Sequence, residues 1–273
     1  MTSMWKAALL AGAAWSTIAG AASAQQAPAA DNSVSVDEVT VTARRREENL
    51  KDVPVAVSAF SAEKLERSGG TDITVLSQTT PNITVQTARG SNSTLISYIR
   101  GVGQQDPLWG FEPGVGLYVD DVYIYRPQGA VLDIFDIERI EVLRGPQGTL
   151  YGRNTIGGAI KYVTKRLGDD AGAKIKGTYG SYNQTDVLVS GQTPIGGGLS
   201  VGGSYALYKR DGYGTNITTG AEHYNKDVEA YRLSAEYQPT EDLFFRLAYD
   251  KVVDDSNPRH GHRELPALVG GYQ

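Results

Sequence analysis

The chain has no cysteine. Disulfides and thiolate metal ligands are excluded, so packing and backbone pairing must hold the fold. Beyond the first 24 residues it has no apolar run near 18 residues, so no transmembrane helix is expected. Neither sign of charge dominates: 26 Lys and Arg stand against 31 Asp and Glu. That balance argues against nucleic acid as the main partner. Phenylalanine is scarce at five, whereas tyrosine reaches 16 and glycine 32. Tyrosine suits a membrane–water interface, and a closed β-barrel is the way a helix-free chain satisfies its backbone in lipid.

The first residues read as a secretory signal peptide, residues 1–24. Lys6 supplies the positive region, Ala7 to Ala19 is small and apolar, and Ala22-Ser23-Ala24 is an A-x-A cleavage site before Gln25. The following stretch to Val36, rich in Ala, Pro, Ser and Asn, reads as a flexible tail. Arg44-Arg45-Arg46-Glu47-Glu48 reads as a solvated linker, because its acids partly neutralise its bases.

The segment Ile140 to Arg166, IEVLRGPQGTLYGRNTIGGAIKYVTKR, carries the most information. Gly145, Gly148, Gly152, Gly157 and Gly158 lie between two β-prone runs, Ile140–Leu143 and Ala159–Val163. This predicts strand, Gly-rich crossing, strand. Glycine at that density implies positive φ or a close backbone approach. A phosphate loop of the GxxxxGK type is excluded, because no Lys-Ser or Lys-Thr follows Gly157 and the next residues alternate at period two.

That segment resembles the end of the plug domain in TonB-dependent outer-membrane receptors. "TPNITVQ", "YIRGVG" and "GVGLYVDDVYI" precede it in family order, so the resemblance runs from Asp37 to Arg166. It implies an α+β plug domain, a small mixed sheet with short helices, followed by the first antiparallel strands of a transmembrane β-barrel. It divides the chain into the signal at 1–24, a tail at 25–50, the plug at 51–167 and a partial barrel at 168–273. Asp37 to Ala43 resembles the TonB box, and the resemblance makes Glu38, Val39, Thr40, Val41 and Thr42 the segment that binds a TonB-like energy-transducing protein. Strand addition to the partner's sheet edge is the physical means.

Within the plug, strands are expected at Val53–Val57, Ile83–Gln86, Leu95–Arg100, Gly116–Val119 and Ile140–Leu143. Ser61 is placed to cap a helix over Ala62–Arg67, and Thr71 a second over Asp72–Ser77. Val131–Asp136 reads as a third short helix. Farther on, Lys174–Tyr179, Thr185–Thr193, Leu199–Tyr208, Val228–Tyr237 and Leu243–Lys251 read as membrane strands. Tyr231, Leu233, Ala235 and Tyr237 alternate with Arg232, Ser234 and Glu236, giving one face for lipid and one for a wet lumen. The Gln238–Asp242 connection is short, as periplasmic turns are, and Gly212–Lys226 is long and polar, as extracellular loops are.

The family closes about 22 strands and small single-chain barrels about eight, so five strands leave the barrel incomplete. Open edges in lipid leave backbone groups unpaired at several kcal/mol each, and the expected product is a truncated or fragment form. Residues 269–273 also lack a final aromatic-ended strand.

No catalytic constellation is visible, and the chain reads as neither an enzyme nor a cofactor protein. His260 and His262 at i, i+2 do not form a recognised metal set. Asp120-Asp121 reads as a turn or a plug–barrel contact. In the resemblance, Gly101 to Gly114 is an apical loop facing outside, where Gln104, Gln105, Trp109 and Phe111 offer amides beside an aromatic surface. Arg100, Glu141 and Arg144 are expected to pair with lumen-facing charges of the barrel wall. The reading that follows is energised uptake, at a Gram-negative outer membrane, of a siderophore-like ferric chelate, glycan or other bulky amphipathic ligand. Outer-membrane lipid and the TonB-like protein are the other partners. A soluble periplasmic plug-only binding module is the alternative.

Overall fold

The computed structural model describes residues 39–108, 110–132, 135–216 and 219–258. The expected signal peptide, Glu38, Trp109, His260 and His262 lie outside the described residues.

The described chain opens with a two-stranded ribbon, β1 (Thr40–Val41) paired antiparallel with β2 (Glu48–Asn49). Next comes β3 (Val57–Ser61), which begins later than expected. Pro54 has no N–H to give to a ladder, and pairing with the later strand at Ile137–Arg144 starts only at Val57 opposite Leu143. Helix α1 (Ala62–Arg67) follows, and Ser61 caps it by accepting from the Lys64 amide at 3.3 Å. The second helix is short and split, a 3-10 turn at Ile73–Val75 running into α2 (Leu76–Thr79). Its cap is Asp72 rather than Thr71, because the Asp72 carboxylate accepts from the Thr74 amide at 2.9 Å.

Strands β4 (Ile83–Thr87), β5 (Leu95–Ile99) and β6 (Val102–Gly103) form a small antiparallel sheet. In β4, Ile83 and Val85 are buried and Thr84 and Gln86 exposed, the period-two pattern that makes it a strand. Strands β7 (Val115–Val119), β8 (Val122–Ile124), β9 (Ile137–Arg144) and β10 (Gly158–Thr164) join β3 in a mixed sheet ordered β3-β9-β10-β7-β8. Helix α3 (Gly148–Tyr151) lies in the β9–β10 crossing.

No helix covers the described residues of Val131–Asp136. Their backbone groups serve neighbours instead: Val131 N–H goes to Ser93 O and Leu132 O accepts from Ile73 N–H, both at 3.0 Å. Asp136 adopts φ 51°, which ends any helical path. Glycine is demanded at Gly158. Its φ is +145°, and a Cβ there would sit 2.2 Å from Leu143 O.

One face of the plug sheet, with Ile140, Val142, Ile160 and Leu117, packs under α1, α2, β4 and β5. The other face, with Leu143, Ala159 and Tyr118, packs against Val41, Ala43 and Tyr151.

After Leu167 the chain forms a five-stranded antiparallel meander: β11 (Gly172–Gly180), β12 (Gln184–Gly196), β13 (Leu199–Arg210), β16 (Lys226–Thr240) and β17 (Leu243–Asp254). Between β13 and β16 the long connection carries a small ribbon, β14 (Gly214–Thr215) with β15 (Glu222–His223). All five long strands coincide with the expected ones, each extending past them at one end or both. In β16, Val228, Ala230, Arg232, Ser234 and Glu236 are buried while Tyr231, Leu233 and Tyr237 are exposed. The plug covers the first face: Phe135 packs among Ala206, Tyr208, Val228 and Ala230. On β13 and β16 the expected wet face is therefore covered by protein, whereas β11 and β17 stay mostly exposed. On the outward face Tyr205 and Tyr231 lie 5.0 Å apart across neighbouring strands, and Tyr237 and Phe245 6.3 Å apart.

Candidate functional site

Three sets of residues carry functional interest: the segment 39–43, the loop 104–111 and the contact between plug and wall.

Segment 39–43 is docked. The Leu50 amide donates to Val39 O at 2.8 Å, so one edge of β1 is taken by the ribbon. Just past β1, the Thr42 amide donates to Glu141 Oε1 at 2.7 Å, and Lys161 Nζ donates to Thr42 O at 2.9 Å and Thr42 Oγ1 at 3.0 Å. Tyr151 OH donates to Ala43 O at 2.8 Å. Val41 is fully buried, whereas Val39 is 41% exposed. Burial pushes the Tyr151 hydroxyl above its usual range, and the nearby Asp121 and Glu141 carboxylates add to the effect, so it remains a neutral donor.

Glu141 corrects the expectation of a wall contact. It is fully buried inside the plug, and its Oε1 also accepts from Arg139 Nε at 2.8 Å. Arg100 and Arg144 lie at the ends of β5 and β9, where a Cβ on Gly145 would sit 3.5 Å from Arg100 Nη1. Among the described residues neither makes an ion pair with the five long strands. Their backbone amides donate within the plug, Arg100 to Asn82 O at 2.8 Å and Arg144 to Ala56 O at 2.9 Å.

The contacts with the wall come from other plug residues. Asp120 Oδ2 pairs with Arg246 Nη1 at 3.3 Å, and Arg246 Nη2 also donates to Thr164 Oγ1 at 2.7 Å. Arg166 Nε pairs with Glu236 Oε2 at 3.1 Å. Arg232 donates to Asp136 O at 3.1 Å and pairs with Asp250 at 2.5 Å. Ser204 Oγ donates to Asp136 Oδ2 at 3.0 Å. Glu66 receives Lys174 at 2.9 Å and Lys176 at 3.3 Å. Burial pushes the Glu66 carboxyl up, but the Lys174 hydrogen bond and the charges of both lysines outweigh this and hold it below the usual carboxylate range.

Sequence reasoning missed Lys161, Asp136 and Arg246 as functional residues. The signal for Lys161 was a cation in the apolar run Ala159–Val163, since a buried charge needs partners. Asp120-Asp121 proves to be a turn, with φ of 45° and 68°, and Asp120 of the two makes the wall contact.

In the loop, Gln104 Nε2 donates to Asp106 O at 2.7 Å, so that amide closes the loop on itself. Gln105 is exposed, and Phe111 is 62% exposed beside exposed Leu108. The loop is tied by Gln128 Nε2 to Pro107 O at 2.8 Å. The neighbouring Asn92 donates to Ser256 O and Asn257 O at 2.7 and 2.8 Å, beyond the end of β17. That is the end of the meander from which the long β13–β16 connection leaves.

This arrangement has counterparts. The family model described as TonB-dependent Receptor Plug Domain matches residues 49–159. The vitamin B12 transporter BtuB of Vibrio vulnificus (strain CMCP6) is 27% identical over 250 residues, which are 87% of this chain and 39% of that protein. The pesticin receptor of Yersinia pestis is 31% identical over 173 residues, 62% of this chain and 24% of that protein. Among solved structures, the ferric yersiniabactin uptake receptor FyuA of Yersinia pestis superposes with a TM-score of 0.63 at 26% identity, over 72% of this chain and 31% of that one. The pyoverdine receptor FpvA of Pseudomonas aeruginosa PAO1 shares the fold, with a TM-score of 0.64 at 17% identity over 78% of this chain and 30% of that one. The chain thus spans well under half the length of each of these relatives. The named relatives are transporters and receptors rather than enzymes. Residues 49–159 thus carry a TonB-dependent receptor plug domain, and the chain is similar to outer-membrane uptake receptors over this domain and the strands that follow it.

Proposed function

We propose that the protein takes part in energised uptake, at the outer membrane of a Gram-negative-type bacterium, of a bulky ligand such as a ferric chelate. Residues 1–24 act as the export signal, 25–50 as the tail with the partner-binding segment, 51–167 as the plug and 168–273 as the opening wall. The ligand meets the plug from outside at Gln105 and Phe111, with Gln104 and Trp109 beside them. A TonB-like protein pairs with residues 38–42 from the periplasm and pulls. Arg100 and Arg144 are proposed to meet wall strands beyond the five described.

The observation that carries this reading is the plug seated on the inward face of the meander. Phe135 and four ion pairs join the two, one through Asp120, two through Glu66 and one through Arg166. A plug that worked alone in the periplasm would have no use for that seat, so the soluble-module reading is not favoured. The relatives' names point to iron chelates and vitamin B12 as ligand classes to try.

The test uses cells producing the protein, with labelled ferric yersiniabactin and vitamin B12 as probes. Val41→Pro removes a backbone donor from the pairing segment. The expected result is binding retained and import lost by at least tenfold. A wild-type product found wholly in the soluble periplasm, or import untouched by Val41→Pro, overturns the proposal.

A further inference from the structure

The two residues of the β7–β8 turn face two different structures. Asp120 accepts from the Thr164 amide at 2.9 Å and pairs with Arg246 of β17. Its neighbour Asp121 pairs at 2.9 Å with Lys161, whose side chain is 1% exposed. That same ammonium donates to the carbonyl and hydroxyl of Thr42. Arg246 on the wall is therefore joined to segment 39–43 through one tight turn and one buried lysine.

Both turn residues are non-glycine with positive φ, 45° and 68°. Left-handed backbone at two successive residues gives a tight turn, so both carboxylates are carried on one short stretch of backbone. If Asp121 moves away, Lys161 is left buried without its acid, and its hold on Thr42 changes with it. Glu141 makes the seat still more demanding. Its side chain is fully buried, and its Oε2 has no partner among the described residues once Oε1 is given to Thr42. Withdrawing Thr42 removes acceptors from Lys161 and donors from Glu141 together.

We infer that the Asp120–Asp121 turn is a coupling element: the Arg246–Asp120 contact with the barrel wall sets how firmly Lys161 and Glu141 clasp residues 39–43. Asp121, Lys161 and Arg246 are then positioning residues for the segment. The inference rests on the proposed partner-binding role of 39–42 only for its biological meaning; the coupling itself is a property of the fold.

The absence of cysteine allows a clean reporter. In the full chain in detergent, Val41→Cys places one thiol at a fully buried position of the segment, and its rate of alkylation is measured. Arg246→Gln and Asp121→Asn are each expected to raise that rate at least fivefold. The two together are expected to raise it no more than the larger alone. A second reporter, Val85→Cys in the main plug core, is expected to stay protected in all backgrounds. The inference is overturned if Arg246→Gln leaves the alkylation rate of the Val41→Cys thiol unchanged. It is also overturned if the two effects multiply, or if the Val85→Cys thiol opens in parallel and shows that the whole plug has loosened. Crosslinking of the segment thiol to the pairing edge of a TonB-like partner is read separately. Its absence when that thiol is freely alkylated defeats the uptake reading and leaves the coupling intact.

Discussion

At the scale of single residues, the clearest requirements are Gly158 and Glu66. Gly158 combines a left-handed φ with a backbone oxygen 2.2 Å from where a Cβ would stand. Gly158→Ala is expected to cost about 2–3 kcal/mol of plug stability, from strained φ and a clash that only backbone movement relieves; chemical denaturation followed by tyrosine fluorescence measures it. Glu66 gives a pH effect of known sign. Its folded pKa is lowered, so its pairing with Lys174 and Lys176 is fully present above the ordinary carboxylate range and is lost as pH falls through the lowered value. The lysines are substantially exposed, which keeps the contribution below about 1 kcal/mol. A carbon-detected titration of Glu66 is expected to show a midpoint below that of a free glutamate, and Lys174→Met with Lys176→Met to return it toward normal.

Elements differ in how much of their character was legible. The strand β4 and helix α1 were, because buried Ile83 and Val85 recur at period two and Ser61 offers its oxygen to Lys64 N–H. The stretch 131–136 was not. Its apolar residues suit a helix, but hydrogen bonds to Ser93 and Ile73, distant in sequence, claim its backbone. The inward face of the wall was half legible: its alternation marked the strands, whereas its filling by Phe135 required knowing where the plug sits. Phe135→Ala removes the plug's contribution to a cluster with Ala206, Tyr208, Val228 and Ala230. It is expected to weaken plug–wall association by about 3 kcal/mol. Faster amide exchange along β9 and β16, with strands intact by circular dichroism, checks this.

At the scale of the molecule, the meander presents two chemically distinct faces. Leu233 and Leu247 are 63% and 75% exposed on the outward side, between the Tyr205–Tyr231 and Tyr237–Phe245 pairs. Arg232 and Arg246 point the other way, into the plug. Leu247→Arg is expected to cost about 2–4 kcal/mol of stability in a bilayer, the value for a cation at mid-depth on a lipid face. Ala248→Ser, on the opposite face of the same strand, is expected to change it little. Urea unfolding from lipid vesicles distinguishes the two; equal effects contradict a lipid-facing side.

The sequence alone determined the family resemblance, the five long strands, their faces and the order of plug before wall. These follow from local chemistry: period-two alternation, Gly-rich crossings and capping residues act over a few positions. Tertiary structure alone decided that Glu141 serves Thr42 rather than the wall, that Lys161 holds the leading segment, and that Asp120, Asp136 and Glu66 meet the barrel strands. A buried charge is paired by whatever the fold brings within about 3 Å, and Thr42 and Glu141, 99 residues apart, become neighbours only when the plug sheet forms.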